Sequence, residues 1–195
     1  FQNGLTEVAS GGGGTRRTSL DISMHTWRGV RGMWLADKVR SMYADGCNIR
    51  VNYGLIGWTV KQRLGAPTAR GRIPLRSTGY DYNKDKEVDR YTHQKYMIID
   101  GWYRGAARQL VMSGSSNWST LGTWSDDNIT MLQGAATFNK YLANYNVMWR
   151  PGYSRNGYKT TMSSFRLSPF GMVPSVRLDL QKDGLKPAGS RWESD

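Results

Sequence analysis

The sequence predicts an α/β fold: a mixed β-sheet sandwiched between helices. Three observations predict it. Short β-branched runs alternate with longer stretches of helical periodicity, which is the pattern of a sheet covered by helical layers. At 195 residues and 22.0 kDa the chain is one domain in size, large enough to bury a real core. Its single cysteine, Cys47, leaves no internal disulfide and no cysteine metal site to stand in for that core.

The elements follow in order. Gly11 to Gly14 make a flexible stretch beside Thr15-Arg16-Arg17. The helix and spacing of a nucleotide-binding loop are absent there, so residues 1–17 read as a flexible N-terminal segment. A first strand covers Ser19 to Met24. A helix follows from Val30 to Ala44, with Leu35, Val39 and Met42 on one stripe, and Asp45-Gly46 ends it. Ile49 to Tyr53 is a short strand, Trp58 to Leu64 a short helix, and Ile73 to Ser77 another strand. Tyr96 to Asp100 is apolar and β-branched and stops at Asp100-Gly101, as a buried strand ending in a turn does. Trp102 to Arg108 reads as an inserted hairpin tip and Gln109 to Asn117 as the next strand. Ile129 to Leu132 is the last strand, and a helix from Ala135 to Trp149 is stopped by Pro151-Gly152. The domain is therefore placed at residues 18–150. Residues 151–195, basic and containing Gly and Ser, are set apart as a C-terminal extension.

Charge and composition narrow the partners. A net charge of +12 and a pI near 10.0 imply an anionic partner: nucleic acid, an anionic lipid surface or a phosphorylated substrate. Eight tryptophans and eleven tyrosines suit an aromatic-lined cleft or a lipid-facing rim. No run of about 18 apolar residues exists, so no transmembrane segment is expected. The chain begins at Phe1 without an initiator methionine or signal peptide, so it reads as a mature product or a fragment. The lack of disulfides does not exclude secretion, and a secreted bacterial protein is the expected setting.

The chemistry concentrates in two motifs. Thr92-His93-Gln94-Lys95-Tyr96-Met97-Ile98-Ile99-Asp100 reads His-x-Lys-x4-Asp, and Gly114-Ser115-Ser116-Asn117 reads Gly-Ser-x-Asn. By average residue usage the first occurs by chance in roughly one chain in a hundred of this length, and both together in about one in ten thousand. On a strand, His93 and Lys95 would share one face, and Ser115 and Asn117 would share one face of the next. If those strands are neighbours, the faces merge into one patch. Lys95 would neutralise a phosphoryl oxygen, Ser115 and Asn117 would donate hydrogen bonds, and a neutral His93 would attack phosphorus. Gly114 belongs to the same substrate-binding element. A nucleophilic imidazole also needs an acceptor on its other nitrogen. A lone histidine in a strand is usually structural, and His25, which follows the first strand without an accompanying lysine, is read that way.

These motifs resemble the HKD signature of the phospholipase D superfamily, phosphodiesterases whose histidine is the nucleophile. The segments Trp27-Arg28-Gly29-Val30-Arg31-Gly32, Asp45-Gly46-Cys47-Asn48-Ile49, Asp89-Arg90-Tyr91-Thr92-His93-Gln94-Lys95 and Ser115-Ser116-Asn117-Trp118-Ser119 are similar to the C-terminal half of actinobacterial tandem phospholipase D-like proteins. The resemblance implies one phospholipase D-type repeat across residues 18–150, a phosphohistidine intermediate and no required metal. It implies an acidic buttress for His93, carried best by Asp127 with Asp126 as the fallback. Asp100, of opposite strand parity to His93, is expected to support structure.

Family members bring two His-x-Lys motifs together from two halves or two identical subunits. This chain holds one, so a second half is the expected partner, from a homodimer or from an N-terminal half, the start at Phe1 favouring the latter. Three functions stay open: a phosphodiesterase acting on phospholipid headgroups, a nuclease of the same superfamily acting on DNA or RNA, and a non-catalytic supporting half. One loop stands apart. Asp81, Asn83 and Asp85 carry oxygen at alternate positions, like the start of a calcium loop, but Lys86 occupies the place of the turn glycine. A solvated turn is the plainer reading.

Overall fold

Tyr96, Met97, Ile98 and Ile99 are all buried, and a strand apolar on both faces belongs in the middle of a covered sheet. The computed structural model describes residues 8–9 and 17–151. In chain order its elements begin with β1 (Val8–Ala9), β2 (Ser19–Trp27), α1 (Gly29–Ala44), β3 (Asn48–Ile56) and α2 (Trp58–Gly65). They continue with β4 (Leu75–Ser77), β5 (Lys95–Tyr103), β6 (Ala106–Gly114), β7 (Ile129–Gln133) and α3 (Ala135–Met148). Apart from those few positions, the N-terminal segment and the C-terminal extension lie outside the described residues.

Six strands run in the order β4-β3-β2-β5-β6-β7. β2 and β3 are parallel and joined through α1, whereas β5 lies antiparallel on the other side of β2. β1 pairs with Trp102 and Tyr103 of β5, beyond the stretch that β2 covers. The fold is therefore α/β with a mixed sheet, as the alternating pattern predicts.

The two-residue strand period sorts the core into two layers. Leu20, Ile22, Met24, Met97 and Ile99 pack beneath α1 and α2 through Leu35, Val39, Val60 and Leu64. Tyr96, Ile98 and Val111 face the opposite way, onto Phe138, Tyr141, Tyr145 and Met148 of α3.

Two boundaries differ from the sequence reading in ways that matter. The expected hairpin tip at Trp102 to Arg108 is mostly strand. Trp102 pairs with Ala107 and Tyr103 with Ala106, leaving only Arg104 and Gly105 to turn, both at positive φ. A two-residue turn with both φ values positive matches the twist of its flanking strands, and buried Tyr103 holds the pairing. At the other end of the sheet, β2 runs three residues past Met24. Trp27 is fully buried, pairs with Ile56 and bridges to Trp118, so the strand continues through His25.

Candidate active site

One edge of the sheet gathers the chemistry. Met24 pairs with Lys95 at the start of β5, and Gly114 at the end of β6 pairs with Ile129 at the start of β7. This is also the C-terminal edge of the parallel pair β2 and β3, where open α/β sheets hold their ligands. The segment after β6 is tied across this edge to the end of β2. Trp118 N donates to Thr26 O at 3.0 Å, and Arg28 N donates to Trp118 O at 3.0 Å. The Trp27 and Trp118 rings meet edge to face at 4.5 Å beneath. Aromatic pairs in this geometry add to their burial energy, and here the pair fixes where Asn117 lies.

His93 and Lys95 do not share a strand face, because β5 begins at Lys95 and exposed His93 precedes it. The lysine side chain makes the connection instead. Lys95 Nζ lies 3.1 Å from Nδ1 and 3.2 Å from Nε2 of His93, and donates to His93 O at 3.2 Å. Burial pulls the Lys95 ammonium down to about 8, opposed by the negative charge of Asp127. A base is charged below its pKa, so the cation that would hold a phosphoryl oxygen is present below pH 8 and fades above it. Were the substrate a phosphodiester, kcat/KM plotted against pH should fall through a step near pH 8. In Lys95→Arg, whose guanidinium stays charged, that step should vanish even where the rate is lower; a step that persists in this variant refutes the assignment.

Ser115 and Asn117 likewise lie beyond the end of β6, so strand parity does not place them. Ser115 donates its hydroxyl proton to Asp127 Oδ1 at 2.7 Å and accepts Asn128 N at 3.0 Å. Its donor closes the loop before β7 and is not offered to a phosphate. Asp127 is thus held by Ser115, and it lies near enough to Lys95 and Arg31 to favour both cations. Asp126 is exposed beside it. Gly114 has a steric role: a Cβ there would meet Asn128 O at 2.0 Å, so only glycine allows the two backbones to approach. Asn117 accepts Thr26 N at 3.2 Å through Oδ1. Asp100 is half-buried five residues along β5 from Lys95, between Ser19 and Gln109, well away from this edge.

Two residues were not foreseen. His25 is 1% exposed, and its ring centre lies 4.1 Å from that of His93, tilted by 49°. Burial lowers its pKa to about 3, helped by His93 and Lys95 and opposed by its contact with Asn117. The readable signal was its place at the C-terminal end of the first strand. Arg31 is also buried, with Nη1 3.4 Å from Ser116 Oγ and 3.3 Å from Asn117 O. Burial lowers its pKa, opposed by Asp127. Arg31 stands one helical turn before Leu35, so extending the apolar stripe of α1 backwards points it inward.

The loop weighed for calcium uses its oxygens internally. Asp81 accepts Lys84 N at 2.6 Å and Lys86 N at 2.8 Å, and Asp85 accepts Glu87 N at 2.8 Å. Asn83 accepts Asp85 N at 3.1 Å. Among the described residues no group of three histidine, cysteine, aspartate or glutamate side chains is placed to hold a metal. Among them, too, no helix is long and apolar enough to cross a membrane. No protein-family model matches the chain, and no match to it was found among curated proteins.

Proposed function

We propose that this chain is one half of a phospholipase D-type phosphodiesterase. The observation that carries the reading is the exposed His93 ring, lodged between buried Lys95 and buried His25, with Asn117 and Arg31 at the same sheet edge. An imidazole nitrogen of His93 attacks phosphorus, forming a P–N bond as the bond to the leaving alcohol oxygen breaks. Lys95 balances charge on a nonbridging oxygen. The leaving oxygen takes a proton from a general acid. Water then attacks the phosphohistidine, its proton passes to the same group acting as base, and the P–N bond breaks.

His25 does not suit the role of that acid, because it is buried and is neutral, not imidazolium, at neutral pH. With only two histidines in the chain, a second imidazole has to come from a second copy or another half.

A lipid phosphodiester is favoured by the surface around this edge. Trp34, Trp58 and Trp124 are 65, 74 and 82% exposed. Trp34 lies one turn beyond exposed Val30 on α1, whose amide binds Thr120 in the segment leading to Leu121 and Trp124. Exposed tryptophans beside a basic site suit the interface of an anionic lipid surface. The +12 charge equally favours a nuclease as the second reading.

Phosphatidylcholine vesicles with and without phosphatidylglycerol, assayed beside plasmid DNA with chelator present and over a range of protein concentration, test the two. Headgroup release with intact plasmid is expected. Plasmid cleavage that collapses with salt, without lipid turnover, would establish the nuclease instead. Turnover of neither substrate at any concentration, and none after a second half is added, would leave a supporting half.

A further inference from the structure

We propose that His25 is the positioning residue of this site: a buried imidazole that fixes the orientation of the Asn117 amide and packs against the His93 ring. The service it performs rests on the phosphodiesterase reading, but the hydrogen-bond logic stands on geometry alone. Thr26 N–H lies 3.2 Å from one terminal atom of Asn117. A backbone N–H needs an acceptor, so that atom is the carbonyl Oδ1 and the amide nitrogen points away from β2. His25 Nδ1 lies 3.3 Å from the same oxygen. Two lone pairs facing each other would repel, so Nδ1 carries the proton and donates, with Thr26 Oγ1 at 3.0 Å as a second neighbour. Nε2 is then the bare nitrogen, and it is buried with no hydrogen-bond partner.

A buried lone pair without a partner is a cost that packing alone does not explain, since a benzene ring would fill the same space without it. The return is at Nδ1. With Oδ1 held by two N–H donors, the Asn117 NH2 is turned outward, where it can donate to a phosphoryl oxygen. The same ring backs His93 at 4.1 Å. When His93 becomes a phosphohistidine it gains positive charge, and a neutral ring beside it is better than a second cation. The pKa of about 3 follows from this placement, because protonated His25 would sit buried beside Lys95 and His93.

Three variants separate positioning from packing. His25→Phe keeps the ring and loses the donor, His25→Asn places an amide N–H near the Nδ1 position, and His25→Ala removes both. By the usual worth of one oriented donor, His25→Phe should lower kcat about 100-fold with KM changed less than about threefold. His25→Asn should stay within about tenfold of the native kcat, with His25→Ala lowest. A purely structural role gives the reverse order, with His25→Phe at least as active as His25→Asn, and that order overturns the proposal. Thermal melts check that each variant is folded. Nitrogen-15 NMR supplies a readout without turnover, since the chain has two histidines and His25→Asn assigns both. His25 should show the neutral Nδ1–H form from neutral pH down to about 4.5, and Asn117→Ala should weaken that proton's protection. An Nε2–H form, or titration near the ordinary value of about 6.5, refutes the geometry. If the native protein, paired with a second half, turns over neither lipid nor DNA, the catalytic reading fails on its own, and the NMR result still decides whether His25 orients Asn117.

Discussion

Replacing His93 with alanine is expected to lower phosphodiester turnover by about 10⁴-fold or more, the scale seen when a covalent nucleophile is removed. The fold should be untouched. His93 is exposed and precedes β5, and surface substitutions of this kind usually change stability by less than about 0.5 kcal/mol. The Trp27 and Trp118 pair and the β2–β5 ladder do not depend on it. Turnover and a thermal melt of His93→Ala, read together, make the check. Quenching the native reaction in acid should trap the phosphoryl group on the peptide containing His93. Label on any other residue, or inversion of configuration at phosphorus, would sink the double displacement. With a lipid substrate, added alcohol should compete with water for the intermediate and yield the exchanged phospholipid.

The second large effect concerns assembly. A general acid contributes about 10² to 10⁴-fold to reactions of this type, and His25 does not suit that part. The strictly monomeric chain should therefore turn over at no more than about a hundredth of the rate of a paired form. Pairing with an identical copy would make activity per chain rise with protein concentration, in step with a dimer seen by sedimentation or light scattering. Pairing with a different half would leave the chain inactive until that half is added. Full turnover by a chain that stays monomeric at every concentration would refute the requirement and bring His25 back as the acid. Mixing native chain with excess His93→Ala chain sharpens the test. Mixed dimers would each retain one nucleophile and lose one acid, so activity should fall as the mutant fraction grows.

The sheet and its helices were legible because their cause is local. Tyr96 to Ile99 is apolar without interruption, and Leu35, Val39 and Met42 recur at helical spacing, so strand and helix declare themselves within a few residues. Arg104-Gly105 was less legible, since the pairing of Trp102 and Tyr103 with Ala107 and Ala106 is a property of two strands together. Of the site, His93, Lys95 and Asn117 could be named from the spacing of two motifs. Their arrangement could not, because parity was applied where no strand exists: β5 starts at Lys95 and β6 ends at Gly114.

The sequence by itself determined the α/β class, the strands that form the middle of the sheet, and the two motifs that bring His93, Lys95 and Asn117 to notice. Hydrophobic periodicity and residue type fix these, and both act over a few positions. Only the tertiary structure decided which side chains meet. His25 and Asn117 are 92 residues apart and touch because Trp118 bridges to Trp27. Arg31 reaches Asn117 across a separation of 86 residues because α1 begins at the same sheet edge. Ser115, one position past the end of β6, turns to Asp127 and not to a phosphate. Contacts of that kind depend on chain closure over long separations, and burial at such a junction, more than residue type, makes His25 neutral and Lys95 a weak base.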